Sequence, residues 1–472
     1  MNLRKNLKRV IVLTLTMIML ASMPLNFVHA ADEATNEQQD LQNDLDYLGR
    51  MLRFIKANYV YEVTEDELIE GALKGLFYNL DDYSNYYTAE EFAELSEKVT
   101  GDFGGIGVHI TEQGGYITII TPIDGSPGFN AGLKAGDRVV SIDDTNIVGY
   151  TAKQASELMR GDPGTKVKLG IIRKGVQGVI YFDITREIIA INPVTYEILD
   201  NNIGFIKITE FNGHTLENVI KALNEFDSKK VDRIIFDVRN NPGGSLDEVI
   251  NVLRFLVPEG PVVHIKNADG SLQTHNSYNK EAKYKLAVLV NEGSASASEI
   301  FAGAVQDKKA GTIIGTTTYG KGTVQTILPL TNGGGIKLTI AEYLTPNKNA
   351  VNKVGIKPDI VVENAYIESK VDLSKIPTLD KKRKPTLNTV GLDVLGAEQI
   401  LQILGYNVNE PDGILDQVTF NAIKAFQADN GLSGYGVLDF TTQDVLKKAI
   451  IEYAKPRLVD KQLEKAIEIL SK

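Results

Sequence analysis

The 472-residue chain contains no cysteine, no tryptophan and only five histidines. Without cysteine it can form no disulfide, thiolate metal site or lipoprotein anchor, so packing alone must hold the fold. Basic charge is also short. Lys and Arg number 50 against 61 Asp and Glu, for a net charge of −11. Residues 1–30 carry four basic and no acidic residues, so their removal takes the net charge to −15. That balance argues against a nucleic-acid binder and gives no basis for electrostatic attachment to anionic lipid. Long apolar runs are scarce as well. Val10 to Ala21 is about a dozen residues, short for a membrane span. It follows Arg4, Lys5, Lys8 and Arg9 and precedes Pro24 and Val28-His29-Ala30. This is the pattern of a secretory signal cleaved after Ala30, with an uncleaved anchor as the other reading. Either one places the protein outside the cytoplasm, secreted or at the wall or membrane exterior.

What remains is ordinary globular material, 43% hydrophobic and 24% charged, long enough for about three domains. One stretch, Leu286 to Leu330, carries most of the chemistry. Leu286 to Val290 is apolar, as in a strand buried on both faces. Asn291-Glu292-Gly293 breaks it, and Ser294 to Ser298 lead into a helix with Ile300, Phe301 and Ala304 on one face. Ser296 therefore stands where a strand hands over to a helix N-terminus, whose N–H groups favour developing negative charge. Gly320-Lys321-Gly322 follows, with Gln325 four residues after the lysine. A serine needs a base, and no histidine lies here. Lysine can serve if burial lowers its pKa, and the Gln325 amide could orient it. On the residues alone, a small-residue turn and a surface lysine account for the same string. Gly315 to Lys321 also mimics a phosphate-binding loop, but Gly322 replaces the required Ser or Thr and a strand pattern follows. Ser277 to Lys280 has S-x-x-K spacing in a polar segment and lacks its Lys-Thr-Gly partner.

The strings GSASASE and GKGTVQ, at this separation, resemble the carboxy-terminal processing peptidases, the tail-specific serine proteases. The resemblance implies Ser296 as nucleophile, Lys321 as general base and Gln325 as the residue orienting the lysine, with no metal or cofactor. The segment EGALKGLFYNLDDYS resembles the family's amino-terminal region, with Asp82 where Leu-Asp-Pro is usual. The fold expected is multidomain α/β: an α/β Ser/Lys peptidase core, a β-rich PDZ domain, N-terminal helices and a small α-helical C-terminal module.

In chain order, residues 31–44 are acidic and polar and read as a loose tether after the signal peptide of residues 1–30. Helical periodicity runs from Leu45 to about Leu95, with Asp44 and Thr64 as caps. Residues 31–96 thus form an N-terminal helical segment, used for dimerisation in the family. Residues 97–187 resemble a PDZ domain, on Gly104, Gly105, Ile106 and Gly107 before Val108 and on AGLKAGDRVVSID. Such a loop presents bare N–H groups to a peptide's terminal carboxylate. Arg160 after its helix is a candidate contact to the peptidase domain, with a solvated arginine as the alternative. Residues 188–370 form the peptidase core. There Arg239-Asn-Asn-Pro-Gly243-Gly244 follows a buried strand, and a Gly243 or Gly244 N–H, with that of Ala297, is assigned to the oxyanion hole. Residues 371–388 read as a linker. Residues 389–454 resemble a peptidoglycan-binding helical module, with Asp412, Asp416, Thr419 and Phe426 at motif positions. Residues 455–472 carry a D-x-Q-L helix that many family members place directly after the core.

The function implied is an exported serine endopeptidase that takes protein substrates by their C-termini and binds cell-wall peptidoglycan, as a homodimer. A peptidoglycan-acting hydrolase and an inert wall-anchored PDZ scaffold are the competing readings.

Overall fold

The computed structural model describes residues 31–280, 282–367 and 371–472. The expected signal peptide lies outside them. The chain divides into two compact units, one comprising the residues up to Phe92 with Gln325–Thr339, the other Ala93–Val324 with Ile340–Lys472.

The first unit carries the helices Ala31–Asn58 and Glu65–Phe77 and the short strand Asn85–Tyr87. Thr64 caps the second helix, in a capping box with Glu67. Some other expectations for this region need correction. Residues 31–44 are helical, not a tether, and Asp44 lies inside the helix rather than at its start. The sequence ADEATNEQQDLQND holds neither proline nor glycine, so polarity alone gave no reason for the chain to leave the helix. Asn85–Tyr87 pairs antiparallel with the start of the strand Gly335–Leu344, a pairing that helical periodicity cannot announce.

In the second unit a six-stranded sheet forms the peptidase core. Its order follows the chain: Val194–Leu199, Ile203–Ile208, Arg233–Asp237, Lys285–Val290, Gly311–Gly315 and Ile360–Val361. The first pair is antiparallel and the rest are parallel. An order that never reverses, joined by right-handed crossovers, sends every crossover helix to the same face. Thr215–Ser228, Leu246–Leu256 and Ala297–Asp307 accordingly share one core with Ile206, Phe236 and Val288. The alternate strand residues Ile203, Ile235, Leu289 and Ile314 face the other way. They are covered by Ala466 and Leu470 of the last helix, Lys461–Ser471. Residues of the last helix thus belong to the same buried cluster as the sheet.

The PDZ domain packs strands between Val108 and Thr185 around Ile117, Val139 and Leu169, with the helix Ala152–Met159 alongside. Arg186 closes that helix, donating to the carbonyls of Leu158 and Met159 at 3.0 and 3.1 Å. The C-terminal module gathers Leu392–Ile403, Gln417–Asp429 and Phe440–Tyr453 around Leu401, Ile423 and Leu446. Residues 371–388 are not a free linker. Leu379 is buried in this core, and the Lys381 N–H donates to the buried Gln443 at 3.0 Å. A Lys/Pro/Asp-rich composition hid one apolar anchor. The module leaves and re-enters the peptidase domain through a two-stranded ribbon in which Ala365–Ile367 pairs with Arg457–Val459.

Candidate active site

Two loops meet at the carboxyl ends of the adjacent parallel strands Arg233–Asp237 and Lys285–Val290, where open α/β sheets place their sites. Ser296 is the residue before helix Ala297–Asp307, at φ 54° and ψ −113°. A non-glycine residue there costs about 1–3 kcal/mol, so the surroundings must impose it. They do so through side chains of the same serine-rich string. The Ser294 hydroxyl donates to the Val238 carbonyl at 2.7 Å and the Ser298 hydroxyl to the Asn241 carbonyl at 2.9 Å. The Ala295 N–H donates to that Asn241 carbonyl at 3.0 Å. The small residues of GSASASE are thus latches that bind one loop to the other.

Glu299 does the rest. Its residue is fully buried, and donors converge on both carboxyl oxygens. Oε1 accepts the Thr318 hydroxyl at 2.6 Å and the Gly320 N–H at 2.7 Å. Oε2 accepts the Ser296 N–H at 2.8 Å and the Lys321 N–H at 2.9 Å. Two donors on one oxygen place the backbone nitrogens of Ser296 and Lys321 within about 6 Å of each other. The buried Tyr343 adds a second clasp, with its hydroxyl 2.7 Å from the Lys321 carbonyl and 3.1 Å from that of Ser296. The residues on either side of a 25-residue gap in sequence are therefore neighbours in the fold.

The glycines of the opposing loop divide their tasks. At Gly243, φ is +105°, and a Cβ would stand 2.7 Å from the Ser296 Cβ and 3.0 Å from the Ala297 nitrogen. Only glycine lets this backbone lie against the serine. Its own N–H is taken, donating to Asn241 Oδ1 at 2.9 Å. The Gly243 carbonyl accepts from the Phe211 N–H at 2.8 Å. Across a trans peptide, the Gly244 N–H must then point away from Phe211. Of the two glycines assigned to the oxyanion hole, Gly244 has the donor to offer, and Gly243 supplies the clearance. Ala297 opens its helix, so its N–H has no acceptor within the helix.

Gln325 sits on the strand Thr323–Pro329 and belongs to the first unit, where its amide donates to the Thr339 hydroxyl at 3.1 Å. The two decoy motifs resolve as structure. Lys321 is followed by that strand, not by a helix, and the Ser277 hydroxyl is buried against the Val257 carbonyl at 2.8 Å.

In the PDZ domain, Gly105, Ile106, Gly107 and Val108 line a groove of about 410 Å³, together with Met159 and Arg160. Gly104 precedes it on the strand Asp102–Gly105. The Ile106 carbonyl accepts from the Gly128 N–H at 2.7 Å. The Gly107 carbonyl accepts from the Ile123 N–H and the Ser126 hydroxyl, both at 2.9 Å. With both carbonyls pinned inward, the N–H groups of Gly107 and Val108 point the opposite way. Arg160 is neither a peptidase contact nor simply solvated. It lies 4.3 Å over the Phe103 ring, pairs with Glu97 and lines the groove.

Four family models match the chain: peptidase family S41 over residues 202–362, a PDZ domain over 118–173, a peptidoglycan-binding domain over 390–446, and the N-terminal domain of the activating protease CtpB over 16–91. The carboxy-terminal processing protease CtpA of Bacillus subtilis is 34% identical over 477 residues, covering all of both chains. CtpB of the same organism is 32% identical, covering 92% of this chain and 91% of its own. The chain belongs to the carboxy-terminal processing proteases of family S41. A solved relative, the photosystem II D1 C-terminal processing protease, is 30% identical with a TM-score of 0.40, covering 66% of this chain and 86% of its own.

This processing protease is therefore a serine-type enzyme with a PDZ domain. Several of its site residues escaped sequence reasoning. Glu299 and Asn241 stand inside the strings GSASASE and RNNPGG but carried no separate signal, and Tyr343 reads as an ordinary strand residue. In its C-terminal module the motif positions hold the fold together. Asp416 caps a helix by accepting the Thr419 N–H at 2.7 Å, and the Thr419 hydroxyl donates to the buried Glu398 at 2.9 Å. Phe426 is buried. The Asp412 carboxylate accepts the Ile414 N–H at 2.8 Å, an Asx turn. A larger groove, about 660 Å³, lies between residues 374–383 and the first helix of this module. Its charges are paired internally, Lys375 with Asp372, Lys382 with Asp380 and Arg383 with Asp393.

Proposed function

We propose that the protease is exported and cleaves peptide bonds with Ser296 and Lys321, after its PDZ groove has taken the C-terminal end of a protein substrate. Lys321, as the neutral amine, takes the Ser296 hydroxyl proton while Oγ bonds to the scissile carbonyl carbon. The Gly244 and Ala297 N–H groups hold the oxyanion. Lys321 then returns the proton to the leaving amine as the C–N bond breaks. Water, deprotonated by the same lysine, hydrolyses the acyl-enzyme. Gln325 is the third member of the proposed catalytic set. The observation that carries this reading is the single Glu299 oxygen accepting both the Ser296 and the Lys321 N–H.

The Gly107 and Val108 N–H groups, turned away from the PDZ core, suit a terminal carboxylate, and the neighbouring strand edge suits the peptide backbone. The peptidoglycan-binding match supports attachment to the cell wall. Exposed Leu41, Leu45, Leu48 and Phe54 on the first helix support assembly as a homodimer. Among the described residues no helix is long and apolar enough to cross a membrane.

The test is purified Ser296→Ala against wild type on an unfolded protein and on purified peptidoglycan. Loss of protein cleavage supports the reading. Unchanged cleavage refutes the nucleophile, and soluble muropeptides from the wild type would favour the wall-hydrolase alternative.

A further inference from the structure

The groove of about 660 Å³ in the C-terminal module has two walls of different origin. One is formed by Leu392 and Asp393 of the helix Leu392–Ile403, within the residues 390–446 that match a peptidoglycan-binding domain. The other is the segment 374–383, which lies outside that match. Leu379 anchors the segment in the module's core, so both walls belong to one packed body.

Arg383 joins them. Its Nε and Nη2 donate to the two oxygens of the Asp393 carboxylate at 2.8 and 2.5 Å, and Nη2 also donates to the Val390 carbonyl at 2.8 Å. Asp393 is buried, so this fork holds the guanidinium in one place. Gly391 makes the room. A Cβ there would stand 1.9 Å from Nη2 and push the group out of its seat. Among the described residues no acceptor meets Nη1, and the side chain is 47% exposed. Arg383 is thus fixed on one side, with a nitrogen still to satisfy on the other.

The rest of the lining favours an anion. Lys375, Lys382 and Arg383 outnumber Asp380 and Asp393, in a chain whose net charge is −11. Lys375 pairs with Asp372 and Lys382 with Asp380, but all four side chains are exposed. Such pairs are weak and give way readily to a ligand carboxylate. Leu392, 72% exposed, adds an apolar contact. Among the described lining residues there is no aromatic ring for a sugar to stack on. In peptidoglycan the amide-linked disaccharide repeat is neutral, while the stem peptides carry free carboxylates and alanine methyls.

We propose that this groove binds the stem peptides of peptidoglycan, with Arg383 taking a free stem carboxylate and Leu392 covering an alanine methyl. Lys375 and Lys382 draw the carboxylate in. The proposal rests on the wall-attachment reading and deepens it. The module holds the wall by its peptides rather than its glycan, and residues 374–383 make half of the site.

The test is calorimetric titration of the purified protein with the synthetic peptide L-Ala-γ-D-Glu-L-Lys-D-Ala, with the same peptide amidated at both carboxyls, and with a chitin tetrasaccharide. The free acid should bind at least about tenfold more tightly than the amide, and the tetrasaccharide should not bind. Arg383→Lys keeps the charge but loses the fork, and weakens the free acid about tenfold. Leu392→Glu sets a carboxylate at an exposed position that the fold does not need, and weakens it by a similar factor. Equal binding of acid and amide, binding of the tetrasaccharide alone, no binding of the peptide, or wild-type affinity in both variants would overturn the proposal. Co-sedimentation with intact peptidoglycan keeps the two claims apart. If the wild type and both variants sediment equally well, the groove fails and wall attachment stands. If the wild type stays in solution, wall attachment fails and takes the groove with it.

Discussion

Glu299 shows how much one side chain can organise. Its two oxygens tie Ser296, Thr318, Gly320 and Lys321 to a single point. Glu299→Gln puts an NH₂ donor where two N–H or O–H donors must be accepted, leaving buried donors unsatisfied at about 1–3 kcal/mol. The expected result is a lower denaturant midpoint together with loss of turnover, because the proposed nucleophile and base are no longer held in register. Ser296 carries the complementary prediction. Its positive φ strains any residue with a Cβ, so Ser296→Gly should be more stable than Ser296→Ala by about 1 kcal/mol, although both are inactive. Equal midpoints for the two would mean that the elbow is not strained. These residues also mark the limit of sequence reading. Ser296 and Lys321 could be singled out as candidates because each sits in a short string with its own turn chemistry. Glu299 was not, since its meaning lies in partners up to 44 residues away. Nor was the division of labour between Gly243 and Gly244, which depends on Asn241 and Phe211.

Among elements, the strands and crossover helices of the core were readable because burial on both faces and 3.6-residue periodicity are local. The Asn85–Tyr87 strand and the packed residues 371–388 were not, because a three-residue pairing and a single anchoring leucine leave no period. Two ion pairs join elements and give opposite pH dependence. His214, at the start of the helix Thr215–Ser228, lies 2.7 Å from Asp102 at the entry to the PDZ domain. Burial works against its charge, but the Asp102 and Glu217 carboxylates outweigh that and raise its pKa above 6.5. A raised folded pKa means that this stabilisation is complete below pH 6.5 and is lost as pH climbs through the folded value. The stability gap between wild type and Asp102→Asn should therefore close on the alkaline side in chemical denaturation. Asp460, at the start of the last helix, is the reverse case. Burial alone would raise its pKa, but Arg239 holds it below 3.8. Its contribution is present above pH 3.8 and disappears as pH falls through the folded value. Asp460→Asn should cost about 1–3 kcal/mol near neutrality and nothing in strong acid.

Across the whole molecule, the C-terminal helical module is an insertion in the peptidase domain. Ile367 and Arg457 face each other across the ribbon, so the chain can be closed there by a short turn. Replacing residues 368–456 with Asn-Gly should leave cleavage of a soluble unfolded protein within about twofold of wild type while abolishing co-sedimentation with peptidoglycan. Collapse of the core on this deletion would show that the module is structural rather than appended. The last helix must stay, because Ala466 and Leu470 cover one face of the sheet and Arg239 is anchored by Asp460.

All of this rests on Lys321 activating Ser296. The most direct measurement is labelling of the intact protein with a fluorophosphonate, with the modified residue mapped by mass spectrometry, in wild type and in Lys321→Met. The account predicts one label, on Ser296 Oγ, in the wild type and essentially none in the variant. A label on another serine, or Ser296 labelled as fast without the lysine, would contradict it.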